Sequence, residues 1–371
     1  MIPVSQPDLG ALERRYLIDA FDSGWISSRG RYIDEAEHAL SDRVGVTYAA
    51  VTSNGTTALH LALLAAGVGP GDEVILPSLT YIATLNAVIY VGAIPIVVDV
   101  DPGTWCIDPD AVLARITTRT AAIIGVDLYG HPADYPALVS AIAGREIVLV
   151  ADAAESIGAT LDGLPSGSLA DITTFSFFGN KVITSGEGGA VTTASLAMHE
   201  RILQLRNQGN HPSIRYRHEI VGYNYRMTNL SAAVLTAQLQ RLDEIVAARR
   251  RVIDHYKELL TNIEGLLPQV VSANAVASPW MYSLRILGAT AAQRDAVIAR
   301  MSERGIETRP IFAPVQHMEF VPQELRTSTP VADIVGREGI SLPTYPALQT
   351  DEIEHIVREF LSSVDQVLGS A

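Results

Sequence analysis

The chain has 371 residues, 48% of them hydrophobic, with one cysteine and a formal net charge of −14. So acidic a chain lacks the basic face that a nucleic acid demands, and a lone thiol, Cys106, builds neither an internal disulfide framework nor a thiolate-rich metal site, in keeping with a reducing compartment. No apolar run approaches the ~18 residues of a membrane span, and the opening "MIPVSQPDLGALERRY" has no basic start followed by an apolar block, so a soluble, cytoplasmic protein is expected.

Between residues 49 and 193 short apolar runs alternate with helical patterns. "AAVTS" precedes "TTALHLALLAAGVGPGD" and "EVILPS" precedes "TYIATLNAVIYVGA"; then come "IPIVVDVD", "AAIIGVDLYG", "EIVLVADAA", "TTFSFF" and "GAVTT". Buried β-rich runs separated by helices predict an α/β core with a largely parallel sheet covered on both faces. Past "GYNYRMTNLSAAV" a long helical stripe begins, with Thr228 or Asn229 as N-cap and Leu235, Leu239, Leu242, Val246, Ile253, Tyr256 and Leu260 on its apolar side. Within it the basic run "AARRRVIDHYK" reads as a solvated helix face. The stripe leads into a smaller α+β unit with "MYSLRIL", "AAQRDAVIARMSERG" and "TDEIEHIVREFLSSVDQVL", so a large domain over 1–245, including an N-terminal segment, and a small domain over 246–371 are expected.

In such a core ligands gather outside the carboxyl ends of the strands, where polar clusters stand at residues 53–57, 78–81, 152–156 and 176–181. In "TSNGTTALHLAL" the N–H groups of Gly55, Thr56 and Thr57 open a helix. They form either a phosphate cradle or an ordinary turn capped by Asn54 or Thr56. The formal phosphate-loop and dinucleotide glycine patterns are absent. "IVLVADAAES" ends an apolar strand with Asp152, then Glu155. A carboxylate there either caps a helix or must meet a cation, a metal or hydrogen bonds, and no histidine or second aspartate at ligand spacing supports a metal. Lys181 follows "TFSFFGN" beside the small residues of "TSGEGG". It is either a solvent-facing charge or an amine whose pKa a dry setting lowers, able to form a Schiff base with a carbonyl. Taken together, the cradle, Asp152, the Tyr81 ring after "PSLT" and Lys181 are the parts that hold pyridoxal 5'-phosphate: anion site, partner for the pyridinium nitrogen, stacking face and amine.

With "WISSRGRYIDEAE", "SNGTTALHLAL", "GDEVILPSLTYIAT", "VLVADAAESIGA", "TFSFFGNKVITSGEGG", "RNQG" and "GYNYRMTNLSAAV" in this order, the chain resembles the DegT/DnrJ/EryC1/StrS sugar aminotransferases from Gly24 to its C-terminus. The resemblance implies a fold-type I, aspartate-aminotransferase-like α/β enzyme: a large domain with a mixed, mainly parallel sheet, a small C-terminal α+β domain, and a homodimer with shared active sites. It assigns Lys181 and Asp152 as catalytic, Lys181 holding the cofactor and moving protons, Asp152 pairing with the ring nitrogen. Glu155 would sit near the ring's phenolic oxygen, Gly55, Thr56 and Ser176 on the phosphate, Tyr81 over the ring, and Asn224 on the phosphate from the partner subunit. Where some relatives carry histidine and dehydrate, this chain has Lys181, which favours amino transfer.

Substrate contacts implied by the same likeness are Trp25, Ser27, Ser28, Arg215, Tyr216, Trp280, Tyr282, Arg309 and His317. Each has interface packing as its alternative, except His317, whose alternative is an ordinary loop position, and the arginines are suited to phosphate and carboxylate. The wording of "SFFGNK" and "WISSRGR" is most similar to the perosamine-forming branch, which implies transfer from L-glutamate to C4 of GDP-4-keto-6-deoxymannose. A dTDP- or UDP-linked 4-keto or 3-keto sugar, or a non-catalytic regulator on the same scaffold, is the alternative. No metal, nucleic acid or membrane partner is expected.

Overall fold

In a computed structural model, residues 1–369 are described. The strands are β1 (Tyr48–Thr52), β2 (Glu73–Pro77), β3 (Ile94–Val98), β4 (Thr120–Val126), β5 (Val148–Asp152), β6 (Thr160–Leu161), β7 (Leu164–Pro165), β8 (Ile172–Ser176), β9 (Gly189–Thr193), β10 (Leu266–Pro268), β11 (Ala275–Val276), β12 (Tyr282–Ile286), β13 (Arg309–Pro310) and β14 (Gly339–Leu342). The helices are α1 (Ala11–Asp22), α2 (Arg31–Val44), α3 (Gly55–Ala65), α4 (Ile82–Tyr90), α5 (Pro109–Leu113), α6 (Tyr135–Ile142), α7 (Leu196–Arg206), α8 (Asn229–Gln240), α9 (Leu242–Leu260), α10 (Ala291–Glu303), α11 (Pro330–Glu338) and α12 (Thr350–Leu368).

Runs apolar on both faces need cover on both faces, and β2 and β9 are buried at every position. They lie in a seven-stranded sheet ordered β1-β9-β8-β5-β4-β2-β3. The pairs β8–β5, β5–β4, β4–β2 and β2–β3 are parallel, while β9 runs against both β1 and β8. Reversing β9 alone leaves β1, β2, β4, β5 and β8 pointing the same way, so the residues after each of them collect along one edge.

Gly189 starts β9 at that edge, paired with Thr52 on one side and Ser176 on the other. A Cβ here would lie 2.4 Å from the Asn54 carbonyl oxygen. The glycine therefore lets β9 pass against the turn that opens α3.

A second, antiparallel sheet, β10-β12-β14-β13, is packed by α10, α12 and the second half of α9. Its core includes Val252, Tyr256, Leu284, Met301, Ile340, Ile356 and Phe360. The first residues of the chain hydrogen-bond to this unit, although the Val4 side chain packs in the core of the large sheet. Ile2 donates to the Gly305 carbonyl at 2.7 Å, Val4 donates to the Glu307 carboxylate at 3.0 Å, and the Val4 carbonyl accepts from the Thr344 N–H at 2.9 Å. Conversely, Trp280, Met281, Ile311 and Val315 from the C-terminal stretch belong to the core of the large sheet.

The helical stripe forms two helices rather than one. Thr228 caps α8, its hydroxyl accepting from the Ser231 N–H at 3.2 Å. The chain then turns at Arg241, whose guanidinium is taken by Asp8, Glu13 and Glu244. The basic run in α9 also departs from expectation. Arg251 and Lys257 are exposed, but Arg249 is wholly buried. Its donors find main-chain carbonyls, which a sequence pattern does not display.

Gly189→Ala should cost about 2 kcal/mol in urea unfolding, because the colliding atom is backbone and cannot swing aside. An unchanged unfolding midpoint would show that β9 does not pack as described.

Candidate active site

The shared carboxyl edge borders a cavity of roughly 450 Å³. Asn54 caps α3, its side-chain oxygen accepting from the Thr57 N–H at 2.9 Å. The cap leaves the N–H groups of Gly55 and Thr56, both lining the cavity, for a ligand. Gly55 also lets Ser176 approach: a Cβ there would stand 2.9 Å from the Ser176 Cβ. A helix start, two free N–H groups and a hydroxyl thus converge, and the ordinary cap and an anion cradle coexist.

Asp152 ends β5 with no helix to cap. Its Oδ2 accepts from the Thr84 hydroxyl at 2.7 Å and its Oδ1 from the Ala154 N–H at 3.3 Å. Burial pushes its carboxyl above the usual range, opposed by those hydrogen bonds and by the charge of Lys181. Glu155 lies deeper in the turn. Its Oε2 accepts from the Tyr129 N–H at 2.7 Å and its Oε1 stands 3.4 Å from Lys181 Nζ. Burial raises it to about 7, with Lys181 the chief opposing influence.

Lys181 is placed by the turn after β8, where its N–H donates to the Phe178 carbonyl at 2.9 Å. Its Nζ lies 4.0 Å above the Trp280 ring, whose indole N–H donates to the Asn180 carbonyl at 2.8 Å. The amine therefore sits between an aromatic face and a buried carboxyl. Trp280 stacks on Tyr129 (5.6 Å, 19°), which stacks in turn on Phe312 (5.4 Å, 20°). Beyond them Tyr81 remains 56% exposed on the cavity wall, leaving a ring face free. Arg309, on β13, lines the mouth and is paired with Glu307 at 2.9 Å.

Behind this wall Asp127 fixes the turn that carries Glu155. It accepts from Ser156, Ser166, Tyr135 and the Ala133 N–H, while burial pushes its carboxyl up to about 6. Cys106 is buried and its thiol is pushed far above the usual range by burial, an inert packing residue.

The cavity thus brings together Gly55, Thr56, Tyr81, Asp152, Glu155, Ser176, Lys181, Trp280 and Arg309. Other sequence candidates lie elsewhere in the protomer. Trp25 borders a separate cavity at the start of α2 with Arg29 and Gly30, and Ser27 accepts from the Asn229 N–H at 2.6 Å. Ser28, beside it, does not line the main cavity. Arg215 lies over the exposed Tyr216 ring, Asn224 accepts from Arg226 at 3.2 Å, and His317 pairs with Asp333 at 2.7 Å. Tyr282 is buried against Tyr256 in the second core, 5.0 Å between rings, so packing accounts for it instead of substrate.

Sequence reading passed over Thr84, Tyr129 and Phe312. Thr84 stands one helical turn beyond Tyr81, and Tyr129 follows β4 at the same edge as the other clusters, so both carried a positional signal. Phe312 carried none. The residues present fit pyridoxal phosphate. Asp152 is a buried acid with only neutral donors within hydrogen-bond distance, the α3 cradle is kept open by Gly55, and a lone amine is poised between them.

A model of the DegT/DnrJ/EryC1/StrS aminotransferase family matches residues 7–361. Among curated relatives, the GDP-perosamine synthase of Caulobacter vibrioides is 44% identical, covering 99% of this chain and 98% of its own. The enzyme of the same name from Escherichia coli O157:H7 is 41% identical over 97% of this chain and 99% of its own. Among solved structures, 3-amino-5-hydroxybenzoic acid synthase superposes with a TM-score of 0.92 at 32% identity, covering 98% of each chain. A Streptococcus pneumoniae protein described as a sugar aminotransferase, in its PLP form, gives 0.93 at 30% identity over 99% of each.

Because the folded Glu155 holds its proton to about 7 against an ordinary 4.5, the folded state keeps a proton that the unfolded chain gives up. The stability this contributes is complete below about pH 4.5 and is lost as pH rises through 7. Glu155→Gln should therefore stabilise the cofactor-free protein at pH 8 by up to about 2–3 kcal/mol relative to its effect at pH 4.5. Equal shifts in urea midpoint at both pH values would contradict this.

Proposed function

The chain belongs to the DegT/DnrJ/EryC1/StrS aminotransferase family, pyridoxal-phosphate-dependent sugar transaminases, and we propose that it moves the amino group of L-glutamate to C4 of GDP-4-keto-6-deoxymannose, yielding GDP-perosamine. The observation that carries the amino-transfer chemistry is the meeting of Lys181 Nζ, Glu155 and Asp152 at the floor of one cavity beside a helix-start cradle. The choice of sugar rests on the likeness to the perosamine-forming relatives along almost the whole chain.

Gly55 and Thr56 N–H groups with the Ser176 hydroxyl would hold the phosphate, and Tyr81 would cover the ring. Asp152 would face the ring nitrogen and keep it protonated. Thr84, donating to Oδ2, orients the carboxylate while leaving Oδ1 the weaker of its own contacts. Once bound, pyridoxal phosphate supplies the electron sink for the pair left on carbon when a Cα proton departs. Lys181 would hold the cofactor through its Nζ, and the same amine, once freed, would be the base placed to carry the Cα proton. Glu155 and the Trp280 ring hold that amine in place between transfers.

In the first half-reaction glutamate gives up its amino group and leaves as 2-oxoglutarate, its new carbonyl oxygen coming from water. In the second the sugar ketone takes the amine and releases water. Arg309 at the mouth would meet the carboxylate or pyrophosphate of the two anionic substrates. Asn224, Trp25, Ser27, Ser28, Arg215 and Tyr216, all outside the cavity of their own protomer, are assigned to the site of the partner in a homodimer, and His317 to its rim. No helix among the described residues is long and apolar enough to cross a membrane; a cytoplasmic location is part of the proposal and is supported by the single cysteine of the sequence.

Two measurements test the assignment. Purified protein given glutamate with GDP-, UDP- and dTDP-linked ketosugars should aminate the GDP-linked 4-keto sugar, read by product mass. Turnover of only UDP or dTDP substrates would overturn the nucleotide, and no amination of any would overturn the function. Lys181→Ala should lose roughly a thousandfold or more in kcat together with the borohydride-sensitive visible band. Full turnover would remove the amine from the mechanism.

A further inference from the structure

Arg249 is the one residue of the basic run that the amino-transfer reading leaves unexplained. It is 0% exposed, and among the described residues no carboxylate lies within ion-pair distance of it. A buried, unpaired guanidinium is costly, and an apolar side chain of similar length would fill the same space more cheaply. What it does instead is collect main-chain carbonyls. Nη1 donates to Trp280 O at 3.1 Å and Thr344 O at 2.9 Å; Nη2 donates to Lys181 O at 3.2 Å and lies 3.5 Å from the Ser5 hydroxyl. Nε has no partner.

Two of these carbonyls belong to the residue bearing the amine and to the residue bearing the ring beneath it. Lys181 lies in a turn after β8 and Trp280 just before β12, so no strand pairing registers one against the other. Besides the contact of Nζ with the ring itself, two hydrogen-bonded links run between these segments among the described residues. One is the Trp280 indole N–H to the Asn180 carbonyl; the other is the planar fork of Arg249. We propose that Arg249 is a positioning residue for the Lys181 amine, its guanidinium holding the backbones of Lys181 and Trp280 at the spacing that keeps Nζ over the indole face and beside Glu155. Lysine cannot serve, because an ammonium is a single point where the fork spans separate acceptors.

The inference rests on Lys181 being the covalent anchor, and its test separates the two ideas. The groups facing Nζ are Glu155 at 3.4 Å and the Trp280 ring at 4.0 Å, with Asp152 in the same cavity and Arg309 and Glu187 on its wall. Arg249→Lys keeps the positive charge and loses the fork. If the side chain only stabilised the fold, or acted only through its charge, the pH midpoint of the visible band of the cofactor-loaded protein would stay put. If it positions the amine, weakening the cation–π contact should lower that midpoint by roughly half a pH unit or more. Then kcat should fall by about tenfold to a hundredfold while the KM for glutamate stays within about threefold. A folded Arg249→Lys protein with an unchanged midpoint and kcat within about twofold of the parent overturns the proposal. A parent protein with no visible band at all overturns both this proposal and the anchor. Should the variant not fold, a crystal structure of the loaded parent decides. Arg249 on both carbonyls supports the proposal, and separation of either Lys181 O or Trp280 O from the guanidinium beyond hydrogen-bond distance overturns it.

Discussion

Two buried acids share a single amine at the floor of this protein, and that imbalance organises the site. Asp152 and Glu155 both stand at the mouth of β5, and among the described residues the one ion pair to either is that of Lys181 Nζ with Glu155. Burial raises both carboxyls, so each needs a further partner to stay charged. Glu155 has the Tyr129 N–H and the amine; Asp152 has a hydroxyl and one long N–H contact. The better-served acid holds the protein's own cation. In the function proposed above, the poorly served one is the acid that would face the ring nitrogen of the cofactor.

The large sheet supplies the floor, the C-terminal stretch the wall, and neither makes the site alone. Antiparallel β9 lies between β1 and β8 without disturbing their common direction, which brings the α3 cradle within contact of Ser176. Trp280, Arg309 and Phe312 come from the later part of the chain and close the cavity over that edge. The aromatic pile of Phe312, Tyr129 and Trp280 therefore fastens the later part of the chain to the core of the large sheet at the point where the amine sits.

How much of this a sequence displays depends on how each feature is encoded. The seven strands of the main sheet announce themselves by apolar runs, and the strand-end rule leads to Asp152, Lys181 and the cradle because those residues sit next to such runs. Tyr129 obeys the same rule and was legible in principle. Arg249 was not: its partners are carbonyls distributed over residues 181, 280 and 344, and nothing in a local pattern distinguishes it from the half-buried Arg250 or the exposed Arg251 beside it. Tyr282 shows the opposite difficulty, since an aromatic residue near a cavity-lining tryptophan looks alike whether it faces a cavity or a core. The break at Arg241 is invisible to apolar periodicity, because Leu235 and Leu239 of the nearly enclosed α8 and Leu242, Val252, Tyr256 and Leu260 of the one-sided α9 keep a helical spacing across it.

Val4 and Thr344 share a hydrogen bond, as do Val4 and Glu307 and Ile2 and Gly305. On a ribosome those partners emerge about three hundred residues apart. The opening segment must therefore wait, unpaired, while the whole large sheet is made, and only the final strands and helices give it a place to dock. Trp280 too is made about a hundred residues after Lys181: a nascent chain has its acids and its amine well before it has the wall that makes them a site.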